Sequence, residues 1–228
     1  MSTPIARNVV RLKKQPSIRD TVKSALRSAI ISGELQPGTV HSGPSLAGQF
    51  GVSATPIREA MLDLAREGLV VAMPNRGFQI TDVSEQDLAE VTQLRLMIEP
   101  PAVEIITPKL PDDAFPALRE QCDRIVRFAE QGDLVSYLTE DNDFHLALLS
   151  YTGNRRLADL VSSLRSQTRL FGLAALHRQG RLAASAREHH AILDAIEARD
   201  AARARDLVTG HIEHVLTDWS ASDAAETA

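Results

Sequence analysis

From Ser17 onward, apolar residues recur at intervals of three and four, the spacing of helices that bury one face. Ile18, Val22, Ala25, Leu26, Ala29 and Ile30 form a first stripe, which Ser17 opens and Gly33 closes as a C-terminal cap. Leu35-Gln36-Pro37-Gly38 reads as a turn, and a short helix around Pro44 to Phe50 turns Leu46, Ala47 and Phe50 inward. Gly51 then provides a sharp turn, Ser53 a helix cap, and Pro56 a tolerated first-turn proline. The helix that follows runs to about Glu67 and carries Ile57, Ala60, Met61 and Leu64 on one side. Two short β-like runs, Leu69 to Ala72 and Phe78 to Ile80, flank Pro74-Asn75-Arg76-Gly77 and predict a hairpin. Three helices and a β-hairpin make a winged helix-turn-helix over residues 17–81.

Beyond Val83 the strand pattern stops. Ser84 with Asp87 caps a helix through Leu88, Val91, Leu94, Leu96 and Ile98, which Pro100-Pro101 is expected to break or kink. Three-four spacing returns over 102–106, 112–131, 133–151, 154–175, 184–199 and 201–220, with stops at Gly132, Gly153-Asn154, Gly180 and Asp200. The fold class is therefore mainly α: the winged head, then an all-α antiparallel bundle of six or seven helices over residues 82–220. Residues 1–16 read as a flexible basic arm and residues 221–228 as a disordered tail.

The net charge of −5 argues against a nucleic-acid partner until it is divided between the two halves. Residues 1–80 hold ten Lys/Arg against five Asp/Glu, and the remainder holds fifteen against twenty-five. A basic head on an acidic second domain suits a DNA reader, because affinity follows local cationic surface. Apolar residues make up 43% of the chain and charged residues 24%, as in a soluble globular protein. No run is apolar and long enough to span a membrane, the N-terminus lacks a signal-peptide core, and Cys122 is the only cysteine. These features predict a cytoplasmic protein.

Ser53, Ala54, Thr55 and Arg58 lie at the tip or on the polar side of the helix after Gly51, where a helix-turn-helix presents side chains to a major groove. Arg76 at the hairpin tip is placed to reach a minor groove or a phosphate. In the second domain Asp141 and His145 are four apart, on one helix face, and His189 and His211 lie on two later helices. Converging, they would make a nitrogen/oxygen site for zinc, nickel or manganese, with open positions for a carboxylate ligand. His190 and His214 are the neighbouring alternatives; Val208, Ile212 and Val215 favour His211 as the inward residue. Arg95 sits among Leu94, Leu96 and Ile98, where a guanidinium needs a carboxylate from Glu99, Glu104 or a bound acid.

Leu46-Ala47, the run Gly51 to Ala60, Leu64, Glu67 to Val70 and Arg76-Gly77 resemble the head of GntR-family bacterial transcription regulators. Leu94-Arg95-Leu96, Glu99 to Ala102, Asp141, Phe144-His145, Gly153-Asn154, Glu188-His189, Ala191 to Ile196 and His211 resemble the FCD ligand-binding domain of its FadR-type branch. The resemblance spans about residues 17–220. It implies a homodimeric repressor, not an enzyme, that binds an inverted-repeat DNA operator and is released by a small carboxylate effector. It implies a divalent metal, most often zinc, on Asp141, His145, His189 and His211, with Arg95 on the effector. It places DNA contacts at Ser53, Thr55, Arg58, Arg76 and Gly77. Two positions depart from the family: Ala54 replaces a frequent arginine, and Pro44 lies where a basic residue is common. An Arg–guanine pair is worth about 1–3 kcal/mol of discrimination, so an altered operator is expected. The rival readings are a metal-free regulator answering an acyl thioester, and a metal-dependent hydrolase carrying a winged helix.

Overall fold

The computed structural model describes residues 17–82, 84–168 and 173–226, with side chains at 167–168, 174–175 and 215–226 left aside. The basic arm expected over 1–16 lies outside the described residues.

Helix α1 (Ile18–Ser32) starts at a reciprocal Ser17–Asp20 capping box and ends at Gly33, φ 83°. Helices α2 (Gly43–Phe50) and α3 (Ala54–Arg66) follow, joined through Gly51 at φ 63°. Leu26, Leu46, Ile57, Met61, Leu64 and Ile80 are fully buried in one core. Burying a side chain of this size is worth roughly 1.5–3 kcal/mol. Lys23 and Arg27 of α1 both pair with Glu67, fixing α1 across the end of α3.

The wing is a sheet of three strands rather than a lone hairpin. Strands β2 (Val70–Met73) and β3 (Gly77–Ile80) form the expected hairpin, and β1 (Val40–His41) pairs with the other edge of β3. The register sets Val40 against Gln79 and His41 against Phe78. A two-residue strand is too short to show alternation, so only the pairing reveals it.

The second domain contains seven helices among the described residues. They are α4 (Glu85–Ile106), α5 (Phe115–Gln131), α6 (Leu134–Ser150), α7 (Arg155–Thr168), α8 (Leu173–Arg178), α9 (Arg181–Glu197) and α10 (Ala201–Glu226). Two expectations need correction. Helix α4 runs unbroken through Pro100 and Pro101. Each proline removes a donor, yet Pro100, Ala102, Val103 and Ile106 are buried and α4 packs along α10, so tertiary contact holds the helix. Of the helix expected over 154–175, α7 and the start of α8 are described, and residues 169–172 between them lie outside the described residues. Finally, α10 continues to Glu226, into the expected disordered tail, because nothing after Trp219 is a glycine or proline and Ala and Glu favour helix.

Helix α5 packs on α6 and α9, and α10 packs on α9 and α4. Phe144, Leu148, Ile192, Leu193, Ile196, Val208 and Ile212 are central to the shared core. The head rests on the bundle through α1, which touches α6 and α8.

Candidate functional site

Helix α6 sends Asp141 and His145 from one face into the bundle, α9 adds His189, and α10 adds His211. All four are buried, and one donor atom from each lies within 4.8 Å of the others. Phe144 closes the group on one side, edge-on to the rings of His145 and His189 at 5.5 and 5.1 Å.

The outer hydrogen bonds determine which nitrogen faces inward. Nδ1 of His189 lies 2.9 Å from the Ala186 carbonyl oxygen, which only accepts, so Nδ1 carries the proton. Nδ1 of His211 donates to Glu188 at 2.7 Å, and the Glu99 carboxylate lies 3.6 Å from Nδ1 of His145. Burial, reinforced by the Arg165 guanidinium, holds the His145 imidazole well below its ordinary pKa. Burial also pulls His211 down to about 3, outweighing the Glu188 carboxylate that raises it. Nδ1 of His189 and of His211 is thus turned outward to an acceptor, and the Nε2 atom of each ring faces the centre.

Nε2 of His189 stands 3.2 Å from Nε2 of His145 and 3.1 Å from Oδ1 of Asp141. Donors about 2.1 Å from one metal ion, at angles of 90–110°, are ~3.0–3.4 Å apart. The donor set and its spacing fit a divalent metal, with carbonyl and carboxylate partners holding the rings as in metal sites generally.

Beside this cluster lies a buried charge network. Nε of Arg95 donates to Glu99 at 2.6 Å, so Glu99 is a partner among the three considered, while Nη1 and Nη2 of Arg95 have no hydrogen-bond partner among the described residues. Arg165, fully buried, donates to Asp141 at 2.7 Å and to Glu99 at 3.2 Å. Neither Arg165 nor the roles of Glu99 and Glu188 beside the histidines follow from the motif reading. Arg165 did carry a signal: it continues the apolar stripe of Val161 and Leu164, as Arg95 does in α4.

In the head, Ser53, Ala54, Thr55 and Arg58 are all exposed at the start of α3. Ser53 occupies the N-cap position but makes no capping hydrogen bond, contrary to expectation. Arg76 is exposed at the wing tip, after Asn75 at φ 59°. Gly77 has a structural duty instead: at φ 116°, a Cβ there would stand 2.3 Å from the His41 carbonyl oxygen.

Family models match both halves of the chain: "Bacterial regulatory proteins, gntR family" over residues 18–80 and "FCD domain" over residues 90–214. The chain belongs to the gntR family, in the branch with an FCD domain. It is a transcriptional regulator. A Bacillus subtilis relative, the uncharacterised HTH-type transcriptional regulator YdhC, is 29% identical over 193 residues, 83% of this chain and 85% of its own. The "Probable D-xylose utilization operon transcriptional repressor" of Paenarthrobacter nicotinovorans is 28% identical, covering 87% of this chain and 88% of its own. The solved structure of Escherichia coli McbR shares the fold, with a TM-score of 0.70 at 23% identity over 90% of this chain and 98% of its own. These relatives and both domains are those of regulators rather than enzymes. Among the described residues no helix of the regulator is long and apolar enough to cross a membrane.

Proposed function

We propose that this regulator is a cytoplasmic repressor that binds an inverted-repeat DNA operator as a homodimer and is released by a small organic acid seated beside a divalent metal. The observation that carries the metal is the convergence of four buried donor atoms within 4.8 Å of one another, with Nε2 of His189 3.1 Å from Oδ1 of Asp141 and 3.2 Å from Nε2 of His145. Asp141, His145, His189 and His211 are its ligands. Three imidazoles and a carboxylate suit zinc first, and nickel or manganese next. The bound metal supplies a Lewis-acidic anchor for an oxygen ligand, and the unpartnered Nη1 and Nη2 of Arg95 supply a fork for the carboxylate.

DNA reading falls to Ser53, Thr55 and Arg58 at the start of α3 and to Arg76 on the wing, with Gly77 shaping the wing that carries it. Ala54 and Pro44 withhold two cationic contacts, so Arg58 takes a larger share of discrimination. For the homodimer, exposed Leu94, Met97 and Ile105 line one side of α4, and exposed Leu160 lies on α7, which packs against α4. Apolar side chains exposed on adjoining helices suit a self-complementary two-fold contact. The acid repacks the bundle, alters the placement of the two heads, and lowers operator affinity.

Elemental analysis of purified protein tests the metal, with about one divalent ion per chain expected; none after supplementation overturns it. Fluorescence anisotropy on DNA upstream of the chain's own gene, with a chelator and a panel of organic acids, tests the rest. Specific, salt-sensitive binding relieved by one acid is expected. Binding indifferent to every acid and to chelation refutes the sensor reading.

A further inference from the structure

Two features join the head to the bundle, and both reach the Asp141 cluster. The first is packed. Leu134, Val135 and Leu138, at the start of α6, lie against the core of the head, and Leu134 and Leu138 also touch the core of the bundle. Asp141 follows Leu138 by three residues on the same helix, a rise of about 4.5 Å. A helix is stiff over this length, so a displacement at Asp141 is a displacement at Leu138.

The second is open. A cleft of about 260 Å³ separates the two domains, with Arg27, Glu67 and Leu69 on the head side and Leu138, Ser162 and Arg165 on the bundle side. Arg165 thus serves two places. Its guanidinium holds Oδ2 of Asp141 and Oε2 of Glu99, and the residue, itself without exposed surface, lies in the lining of the cleft. Glu99 in turn holds Arg95 through its other oxygen. An unbroken chain therefore runs from Arg95 through Glu99 to Arg165, and from Asp141 to Arg165, ending at the cleft. A contact packed at one end and open at the other is the geometry of a hinge.

We infer that Arg165 is a positioning residue that, with the Leu134–Leu138 turn of α6, couples the state of the Asp141 cluster to the placement of the head. This rests on the metal reading above. Filling the cluster fixes Asp141 between the ion and Arg165. That fixes the cleft wall and the α6 turn on which the head pivots. The cleft leaves room for the head to move when they shift.

The test is amide hydrogen exchange of the full chain, metal-free and with Zn²⁺, on the wild type, Arg165→Lys and Leu138→Ala, with zinc content measured on the same samples. Lysine keeps a cation beside Asp141 but cannot fork to Glu99 as well. Leu138→Ala loosens the pivot without touching the cluster. In the wild type, Zn²⁺ should slow exchange at least fivefold both around His145 and in the head segments 27–31 and 67–69. In each variant the slowing around His145 should persist while that in the head falls below twofold. Slowing confined to the bundle in the wild type overturns the inference, as does head slowing unchanged in both variants. A wild type that takes up no zinc sinks the metal reading itself, and the inference with it, and the zinc measurement separates that outcome from the others.

Discussion

Replacing Gly77 by alanine isolates what the wing glycine does. At φ 116° an alanine is strained, by about 1–3 kcal/mol. Its Cβ would also stand 2.3 Å from the His41 carbonyl oxygen and 2.9 Å from the Ser42 Cα, both main-chain atoms that no side-chain rotation can move. Relief requires β1 to leave β3. That loosens the pairing of Val40 with Gln79 and His41 with Phe78, and the adjoining bond from Ile80 N–H to the Thr39 carbonyl. At about 1 kcal/mol per backbone hydrogen bond, the total loss is roughly 3–5 kcal/mol. A head of this size has only about 3–10 kcal/mol to lose. Gly77→Ala should therefore accelerate amide exchange across 38–41 and 77–80 at least a hundredfold and abolish DNA binding in anisotropy. Arg76→Ala should do the opposite, leaving exchange unchanged while weakening DNA binding and reducing the salt slope by about one. If Gly77→Ala exchanges and binds like the wild type, the close approach of wing to β1 is wrong.

Three further outcomes are expected. Arg58 is exposed and enters no ion pair among the described residues, so Arg58→Ala should cut operator affinity about 10–100-fold with the melting temperature unchanged. In the metal-free protein His145 and His211 are held neutral, with His211 at about 3, whereas the unfolded chain binds those protons near pH 6.5. Their folded pKa values are depressed, so their stability contribution is full above pH 6.5 and declines as pH falls; His211 alone loses about 2 kcal/mol by pH 5, measurable by denaturant titration. Cys122 is fully buried and its thiol is pushed up to about 12 by burial, so thiol reagents at pH 8 should label it only after unfolding.

The sequence made the head legible where residue type is tied to backbone geometry. Gly33 and Gly51 cap helices at positive φ, and Ile57, Ala60, Met61 and Leu64 form the buried stripe of α3. It failed where a long-range contact outweighed a local rule. Pro100-Pro101 signals a break, but burial against α10 keeps α4 continuous. Val40-His41 has no pattern of its own and becomes a strand only by meeting β3. The Asp141, His145, His189 and His211 group was legible because helical spacing fixes Asp141 with His145, and apolar neighbours point the others inward. Arg165 was not: a lone arginine on an apolar stripe announces burial but does not name its partners, which sit 24 and 66 residues away.

If the cluster holds a metal and the site takes an acid, as proposed, the charge layout couples the two. Arg95 and Arg165 are matched by Glu99 and Asp141, and the neutral His145 and His211 add no charge. A divalent ion placed among them leaves an excess of about one positive charge once the Glu188 carboxylate, which accepts from His211 and His214 at the outer edge, is counted. Uncompensated charge in a buried site costs several kcal/mol. An acid whose carboxylate spans the ion and the two unpartnered nitrogens of Arg95 removes part of that cost. The metal must then tighten the acid, and by linkage the acid must tighten the metal by the same factor. Equal factors measured from both directions bind the two ligands to one site. An acid whose affinity ignores the metal belongs somewhere else in the molecule.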